Sequence, residues 1–261
     1  GVLNHQILII EDNEDLQFFL KRKLAASYQI LQANSGNDGL KMAFDFTPDL
    51  IICDLMLPGM DGLEVVQTLK LDIRTSHIPL IILSARSSTE QQIIGMSSRA
   101  DAYITKPFDV AFLQAQIQSL LFNREILKSR FAQGEIEQVS VLADLDLPDN
   151  ISSIDRGFIH RFAAYINEHH TRQDFQVTDL CMEFGLSRSQ LYRKIKALLG
   201  ESIGSYIESV RLRNAEQLLQ DKALSVAEVA YQVGYSSPDY FSTVFKSRYG
   251  LSPTQFRKAR E

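Results

Sequence analysis

Three acidic residues, Glu11, Asp12 and Asp54, stand where apolar runs end: "QILII" (6–10) leads into Glu11-Asp12, and "LIICD" (50–54) finishes on Asp54. Two other polar groups occupy the same kind of place, Ser84 after "IPLIIL" (78–83) and Lys106 after "AYIT" (102–105). A carboxylate ending a buried segment is costly unless it is paired. If these ends meet, three carboxylates, a hydroxyl and an ammonium converge. Three crowded anions repel, and a hard divalent cation relieves them. Mg²⁺ prefers one or two carboxylates, waters and a phosphate oxygen, and this set suits that coordination.

The elements that must position these groups alternate. A further short run, "YQILQA" (28–33), completes five β-like segments, and helical spacing fills the gaps, as in Leu16, Phe19, Leu20 and Leu24 or Leu63, Val66 and Leu69. Near-continuous apolar strands divided by helices predict a parallel sheet covered on both faces. Helices are expected near 14–26, 36–46, 61–72, 88–98 and 108–122, the last running on through "NREILKSRF" (123–131). In such a sheet the strand ends carrying Glu11, Asp12, Asp54, Ser84 and Lys106 share one edge, which is where open α/β sheets place their sites.

Charge divides the chain. Residues 1–130 hold 12 basic against 15 acidic side chains, 131–155 hold 6 acids and no base, and 156–261 hold 15 bases against 11 acids. The last third is therefore where a polyanion would bind. Apolar runs stay shorter than the roughly 18 residues a membrane span needs, and no signal peptide opens the chain. Cys53 and Cys181 lack any paired spacing, which suggests a reducing cytoplasm and no thiolate metal site. Cys53 is read as inert packing, and His160, His169 and His170 as solvated helix positions. The first residue is Gly, so an excised piece of a longer protein is expected.

From about Ile154 the pattern is helical and repeats itself. Val177, Leu180, Phe184 and Gly185 recur 49 residues later as Val226, Val229, Val233 and Gly234. Ser187, Leu191, Ile195, Lys196, Gly200 and Ser202 recur 50 later as Ser237, Phe241, Phe245, Lys246, Gly250 and Ser252. Each copy reads as a helix, a turn with Gly, a capping Ser and a second helix, so two helix-turn-helix units stand in tandem, joined by a helix over 202–220. With Leu191, Ile195 and Leu198 inward, the first copy's second helix shows Arg188, Ser189, Tyr192, Arg193 and Lys196. With Phe241, Phe245 and Tyr249 inward, the second shows Pro238, Asp239, Ser242, Thr243 and Lys246. Such faces suit the major groove.

"ILIIEDNEDL", "DLIICDLMLPGMDG", "IILSA" and "DAYITKPF" resemble the motifs of the response-regulator receiver domain, over about residues 5–122. The resemblance implies a flavodoxin-like (βα)5 doubly wound fold. It also implies that Asp54 accepts a phosphoryl group from a kinase phosphohistidine, with Mg²⁺ held by Asp54, by Asp12 directly, by Glu11 through water and by the Met56 backbone carbonyl. Ser84 and Lys106 would hold phosphoryl oxygens, and Tyr103 would turn inward once Ser84 moves. An apolar Met56 should guide hydrolytic water poorly, giving a long-lived phosphoaspartate. Arg99 departs from the family's usual Gly.

Residues 155–261, above all "VAEVAYQVGYSSPDYFSTVFKSRYGLSPTQFR", resemble the AraC-type DNA-binding domain, which implies two recognition helices entering successive major grooves. The expected architecture is a receiver (1–124), a helical and acidic linker (125–154) and an all-α DNA-binding domain (155–261). The combination resembles the output part of hybrid two-component regulators, with a stand-alone two-domain regulator as the alternative. The partners implied are a histidine kinase domain in the same or another chain, double-stranded promoter DNA, RNA polymerase, and a second copy of the chain on phosphorylation. The implied location is the cytoplasm, with the parent anchored in the inner membrane. An aspartyl-phosphate phosphatase is disfavoured because Met56 stands where its second acid would be. A small-molecule-sensing AraC regulator is disfavoured because no ligand-binding barrel precedes the helical half.

Overall fold

In β1 (Gln6–Ile10) successive side chains face opposite sides, and both sets are buried and apolar beyond Gln6, so the strand needs cover on two faces. The computed structural model describes residues 5–85, 99–132 and 151–259, over 126–132 by backbone alone. Its strands β1, β2 (Gln29–Ala33), β3 (Leu50–Asp54), β4 (Leu80–Ser84) and β5 (Ala102–Thr105) form one parallel sheet in the order β2-β1-β3-β4-β5. Ile7, Ile9, Leu50, Ile52, Ile81 and Leu83 pack on one face with Leu20 of α1 (Glu14–Leu24) and Leu113 and Ile117 of α4 (Val110–Ala132). Leu8, Ile10, Ile51, Cys53 and Ile82 pack on the other with Ala43 of α2 (Gly36–Phe46) and Val65, Val66 and Leu69 of α3 (Gly62–Leu71). This is the doubly wound order of a flavodoxin-like sheet, as the alternating pattern requires.

Local differences have local causes. β4 begins at Leu80 rather than Ile78, because Pro79 has no N–H for the ladder; its carbonyl still accepts from the Ile51 amide at 2.9 Å. Ser84 is consequently the strand's last residue, paired in register with Thr105. Helix α4 passes unbroken across the expected boundary at 124 as far as Ala132. The expected helix at 88–98 and most of the acidic stretch lie outside the described residues.

The chain divides into two compact units, the second taking in residues 159–196 and 201–259 of those described, and every regular element beyond α4 among the described residues is a helix. These are α5 (Ser153–His169), α6 (Val177–Phe184), α7 (Arg188–Leu199), α8 (Ile203–Leu218), α9 (Val226–Gln232), α10 (Pro238–Tyr249) and α11 (Pro253–Ala259). The two copies read from the sequence are α6–α7 and α9–α10. Ser187 caps α7, its hydroxyl accepting from the Gln190 amide (3.3 Å) while the Gln190 side chain accepts from the Ser187 amide (3.0 Å). Ser237 caps α10 with its hydroxyl alone, accepting from the Tyr240 amide at 3.3 Å, with Pro238 at the first turn.

The histidines correct the expectation of solvated positions. His170 is buried and bonded to Asn214 and to the Asn167 carbonyl, and His169 stacks on Tyr165 with ring centres 4.2 Å apart. Tyr165 and Asn167 lie one turn back on the same helix, whereas Asn214 is 44 residues away and carries no spacing signature. Among the described residues no helix is long and apolar enough to cross a membrane.

Candidate functional site

The sheet edge brings the predicted acids together. β1 delivers Glu11 and Asp12 and β3 delivers Asp54, and ligand oxygens of the three lie within 4.8 Å of one another. Glu11 and Asp54 are buried and Asp12 is exposed. Lys106, following β5, donates to Glu11 Oε2 and to Asp54 Oδ2, each at 2.8 Å. The backbone holds it there: the Lys106 amide donates to the Ser84 carbonyl at 2.7 Å, and the Lys106–Pro107 peptide is cis. The Met56 amide donates to Asp54 Oδ1 and the Asn13 amide to Glu11 Oε1, both at 3.3 Å. Ser84 is fully buried at the end of β4, and Tyr103 is partly buried against the core beneath α2 and α3.

The electrostatics follow from burial and crowding. Burial, aided by repulsion from Asp54, pushes the Glu11 carboxyl above its ordinary range despite the Lys106 hydrogen bond. Burial opposes the Lys106 charge, but the hydrogen bonds to Asp54 and Glu11 outweigh it and raise its pKa. Burial likewise raises the Cys53 thiol, which suits inert packing. Three carboxylates against one ammonium leave excess negative charge that a hard cation would balance, and the all-oxygen donor set fits Mg²⁺.

Two results are expected here. Lys106→Ala leaves Glu11, with 1% of its side chain exposed, beside Asp54 without an ammonium. Urea unfolding in chelator should show a loss of about 2 kcal/mol, largely recovered in excess Mg²⁺. A loss insensitive to Mg²⁺ argues against cation binding. Met56 is 51% exposed and its apolar side chain offers no hydrogen bond to water, so Met56→Asn should shorten the lifetime of the phosphorylated form by about tenfold, followed by intact mass. An unchanged lifetime refutes the reading of Met56.

One supporting residue was not predicted. Gln17, buried in α1, donates from Nε2 to the Glu11 carbonyl (3.1 Å), the Ala33 carbonyl (3.0 Å) and Asn34 Oδ1 (2.9 Å), and so ties the Glu11 backbone to the end of β2. The available signal was a polar residue inside an otherwise apolar helical stripe. Arg99 adopts a left-handed backbone (φ 64°), a conformation that explains why Gly is the usual choice there.

On α7, Leu191, Ile195 and Leu198 are buried while Arg188, Ser189, Arg193 and Lys196 are exposed and Tyr192 is half-buried. On α10, Phe241 and Phe245 are buried and Tyr249 half-buried; Asp239, Thr243 and Lys246 are exposed, whereas Pro238 and Ser242 are half-buried. Two features escaped the sequence reading: Tyr240 is 58% exposed beside Asp239, and Lys194 of α7 is fully buried.

Residues 7–118 match the model of the response regulator receiver domain, and 180–259 that of a helix-turn-helix domain. The chain is 36% identical over 251 residues, 96% of its length, to histidine kinase P4 of Formosa agariphila, of which it covers 18%. It is 39% identical over 132 residues to the DNA-binding dual master transcriptional regulator RpaA of Synechocystis sp., covering 50% of this chain and 55% of that one. With the alkaline phosphatase synthesis transcriptional regulatory protein PhoP of Bacillus subtilis it shares 34% over 152 residues, 57% of this chain and 62% of that one. The chain thus spans less than two thirds of each of these relatives. Among solved structures, the signal receiver domain of a histidine kinase from Syntrophus aciditrophicus is 31% identical (TM-score 0.44, 46% of this chain, 91% of that one). The receiver domain of Francisella response regulator 1452 is 30% identical (TM-score 0.43, 46% and 98%).

These matches correct the AraC-type name suggested by the motifs. The model over 180–259 is described only as a helix-turn-helix domain, and the transcription factors matched are regulators such as RpaA, PhoP, AfsQ1 of Streptomyces coelicolor and ArlR of Staphylococcus aureus. The AraC-type assignment is therefore not kept. The chain joins a receiver domain, with its phosphoacceptor and metal site, to an all-helical DNA-binding domain, the arrangement of two-component response regulators.

Proposed function

We propose that this chain is the phosphorylation-controlled output segment of a hybrid sensor kinase–regulator. Asp54 is its phosphoacceptor: a carboxylate oxygen attacks the phosphorus of a kinase phosphohistidine, the P–N bond breaks, and an acyl phosphate forms on Asp54. Glu11, Asp12, Asp54 and the Met56 carbonyl would hold Mg²⁺, which shields charge on the transferred group. Lys106 neutralises one phosphoryl oxygen and Ser84 donates to another. The new dianion draws both towards it, and Tyr103 moves with Ser84, biasing a two-state face. The observation that carries this reading is the Lys106 ammonium bridging Glu11 and Asp54 inside a carboxylate cluster. A cation already seated on the acceptor is what in-line transfer to a carboxylate requires.

The output is promoter binding. Helices α7 and α10 each offer one duplex a face suited to a major groove, with Arg188 and Arg193 suited to guanine, Lys196, Lys246 and Ser189 to phosphates, and Tyr192, Pro238, Asp239, Ser242 and Thr243 completing the faces. The boundaries we assign are receiver 1–124, linker 125–154 and DNA-binding domain 155–261, although α4 carries the receiver's last helix into the linker. The match of nearly the whole chain to a small part of a histidine kinase supports a kinase in the same parent chain, and hence a cytoplasmic output segment of a larger protein. Phosphorylation favours a homodimer, which raises the effective concentration of neighbouring DNA-binding domains and could present RNA polymerase with a fixed surface.

The test is duplex binding and solution mass of the full chain, with and without beryllofluoride and Mg²⁺, on a duplex it selects from a random-sequence library. We expect tighter binding by about tenfold together with a doubled mass. Identical behaviour in both states removes the switch. On the same duplex Arg193→Ala should cost about 1–3 kcal/mol of preference over scrambled sequence. Equal weakening on all sequences makes Arg193 a phosphate contact instead.

A further inference from the structure

The second unit contains a polar cluster that no role above uses. Arg211, midway along α8, donates from Nε to the His170 carbonyl (2.8 Å) and from Nη2 to the Arg172 carbonyl (3.1 Å). Its guanidinium lies 5.6 Å from the ring centre of Tyr235. One helical turn on, Asn214 donates to the Val210 carbonyl (2.9 Å) and meets His170 Nε2 (3.1 Å). His170 Nδ1 lies 2.8 Å from the Asn167 carbonyl, which can only accept, so Nδ1 carries the proton and Nε2 receives the Asn214 bond. Burial holds the imidazole below its ordinary pKa, in keeping with that neutral form. Gly234, in the turn between α9 and α10, closes the cluster at φ +93°: a Cβ there would stand 2.4 Å from the His170 carbonyl oxygen and 3.0 Å from Arg211 Nε. One guanidinium therefore joins the end of α5, the middle of α8 and the turn of the second helix-turn-helix.

All three lie in the second unit, but their other contacts run to different copies. The first copy is tied to α5 through Phe162 and Phe184, ring centres 6.4 Å apart, and through Arg161 and Glu183 at 3.1 Å. The second is tied to the later part of α8, where Leu212, Ala215 and Leu219 share a core with Val229, Phe241 and Phe245. Covalently the copies are joined through α8, and a helix alone can curve or kink. The placement of α7 relative to α10 needs a brace.

We infer that Arg211, with Asn214 and Gly234 fitted around it, is a positioning residue that sets the separation of the two reading helices and thereby the spacing of DNA segments the chain accepts. The inference rests on the proposal that both helices read one duplex. A loose joint would tolerate several spacings; a braced one discriminates among them, because each added base pair shifts and rotates the second segment.

The test uses the full chain and a duplex it selects from a random-sequence library, with the contacted segments mapped by footprinting and one or two base pairs inserted or removed between them. The unaltered chain should lose about tenfold in affinity or more on each altered spacing, whereas Arg211→Lys and Asn214→Ala should reduce that penalty to about twofold and bind the selected duplex within a few-fold of normal. Should Arg211→Lys fail to fold, Asn214→Ala decides alone. An undiminished spacing penalty, or uniform weakening on every spacing, overturns the inference. If the unaltered chain selects no duplex, or footprints a single segment, the two-helix reading itself fails and the brace has nothing to space.

Discussion

Asp54→Asn should take up no phosphoryl group from acetyl phosphate and Mg²⁺, while the unaltered chain gains one per molecule. An amide oxygen carries no negative charge with which to attack phosphorus, so labelling should fall by about a thousandfold or more, beyond detection by intact mass. The replacement keeps the side-chain shape and removes one of three neighbouring anions, so a lost label will not stem from unfolding; thermal melts of both proteins provide the check. Label persisting on the variant would move the acceptor to Glu11 or Asp12. The variant should also lose any response of DNA binding to acetyl phosphate. If the response survives while labelling is lost, phosphorylation at this position does not govern the output.

The second large effect lies eight residues further on. Gly62 opens α3 directly against the end of β3, its amide donating to the Leu55 carbonyl at 3.0 Å. A Cβ on residue 62 would stand 2.0 Å from the Asp54 carbonyl oxygen and 2.6 Å from Leu55 Cα. Both are backbone atoms of the strand end that presents the acceptor, and they cannot swing aside as a side-chain terminus would. Gly62→Ala must push α3 away from the sheet or move the Asp54–Leu55 backbone. We expect about 3 kcal/mol or more of lost stability in urea, with labelling reduced even in the molecules that remain folded. Wild-type stability in this variant would mean that α3 approaches β3 less closely than described.

The sheet and its acidic edge were legible because near-continuous apolar strands leave a plain trace: β1, β3 and the edge strand β5 fall on the expected residues, with Glu11, Asp54 and Lys106 at or beside their ends. The repeat was equally legible, since capping serines, turn glycines and inward aromatics recur at nearly constant spacing. Less readable were contacts made by polar groups across long sequence distances. Gln17 resembles any polar helix residue until the carbonyls of Glu11 and Ala33 meet it, and His170 looks solvated until Asn214, 44 residues on, reaches its ring. Lys194 shows the same limit, a cation at a position the helix turns wholly inward. The need for Gly at 62 was hidden too, because it arises from backbone proximity between β3 and α3. The family name of the output domain rested on scattered motifs, and the comparisons replaced it.

Among the described side chains, helix α4 meets the core of the sheet as far as Leu121, and its backbone continues to Ala132. That backbone is a rod, about 1.5 Å longer for each residue and turned by roughly 100° at each step. Along such a rod, phase matters as well as reach. Lengthening it by one residue turns its end through more than a quarter circle, whereas adding four leaves it about 40° from the original azimuth.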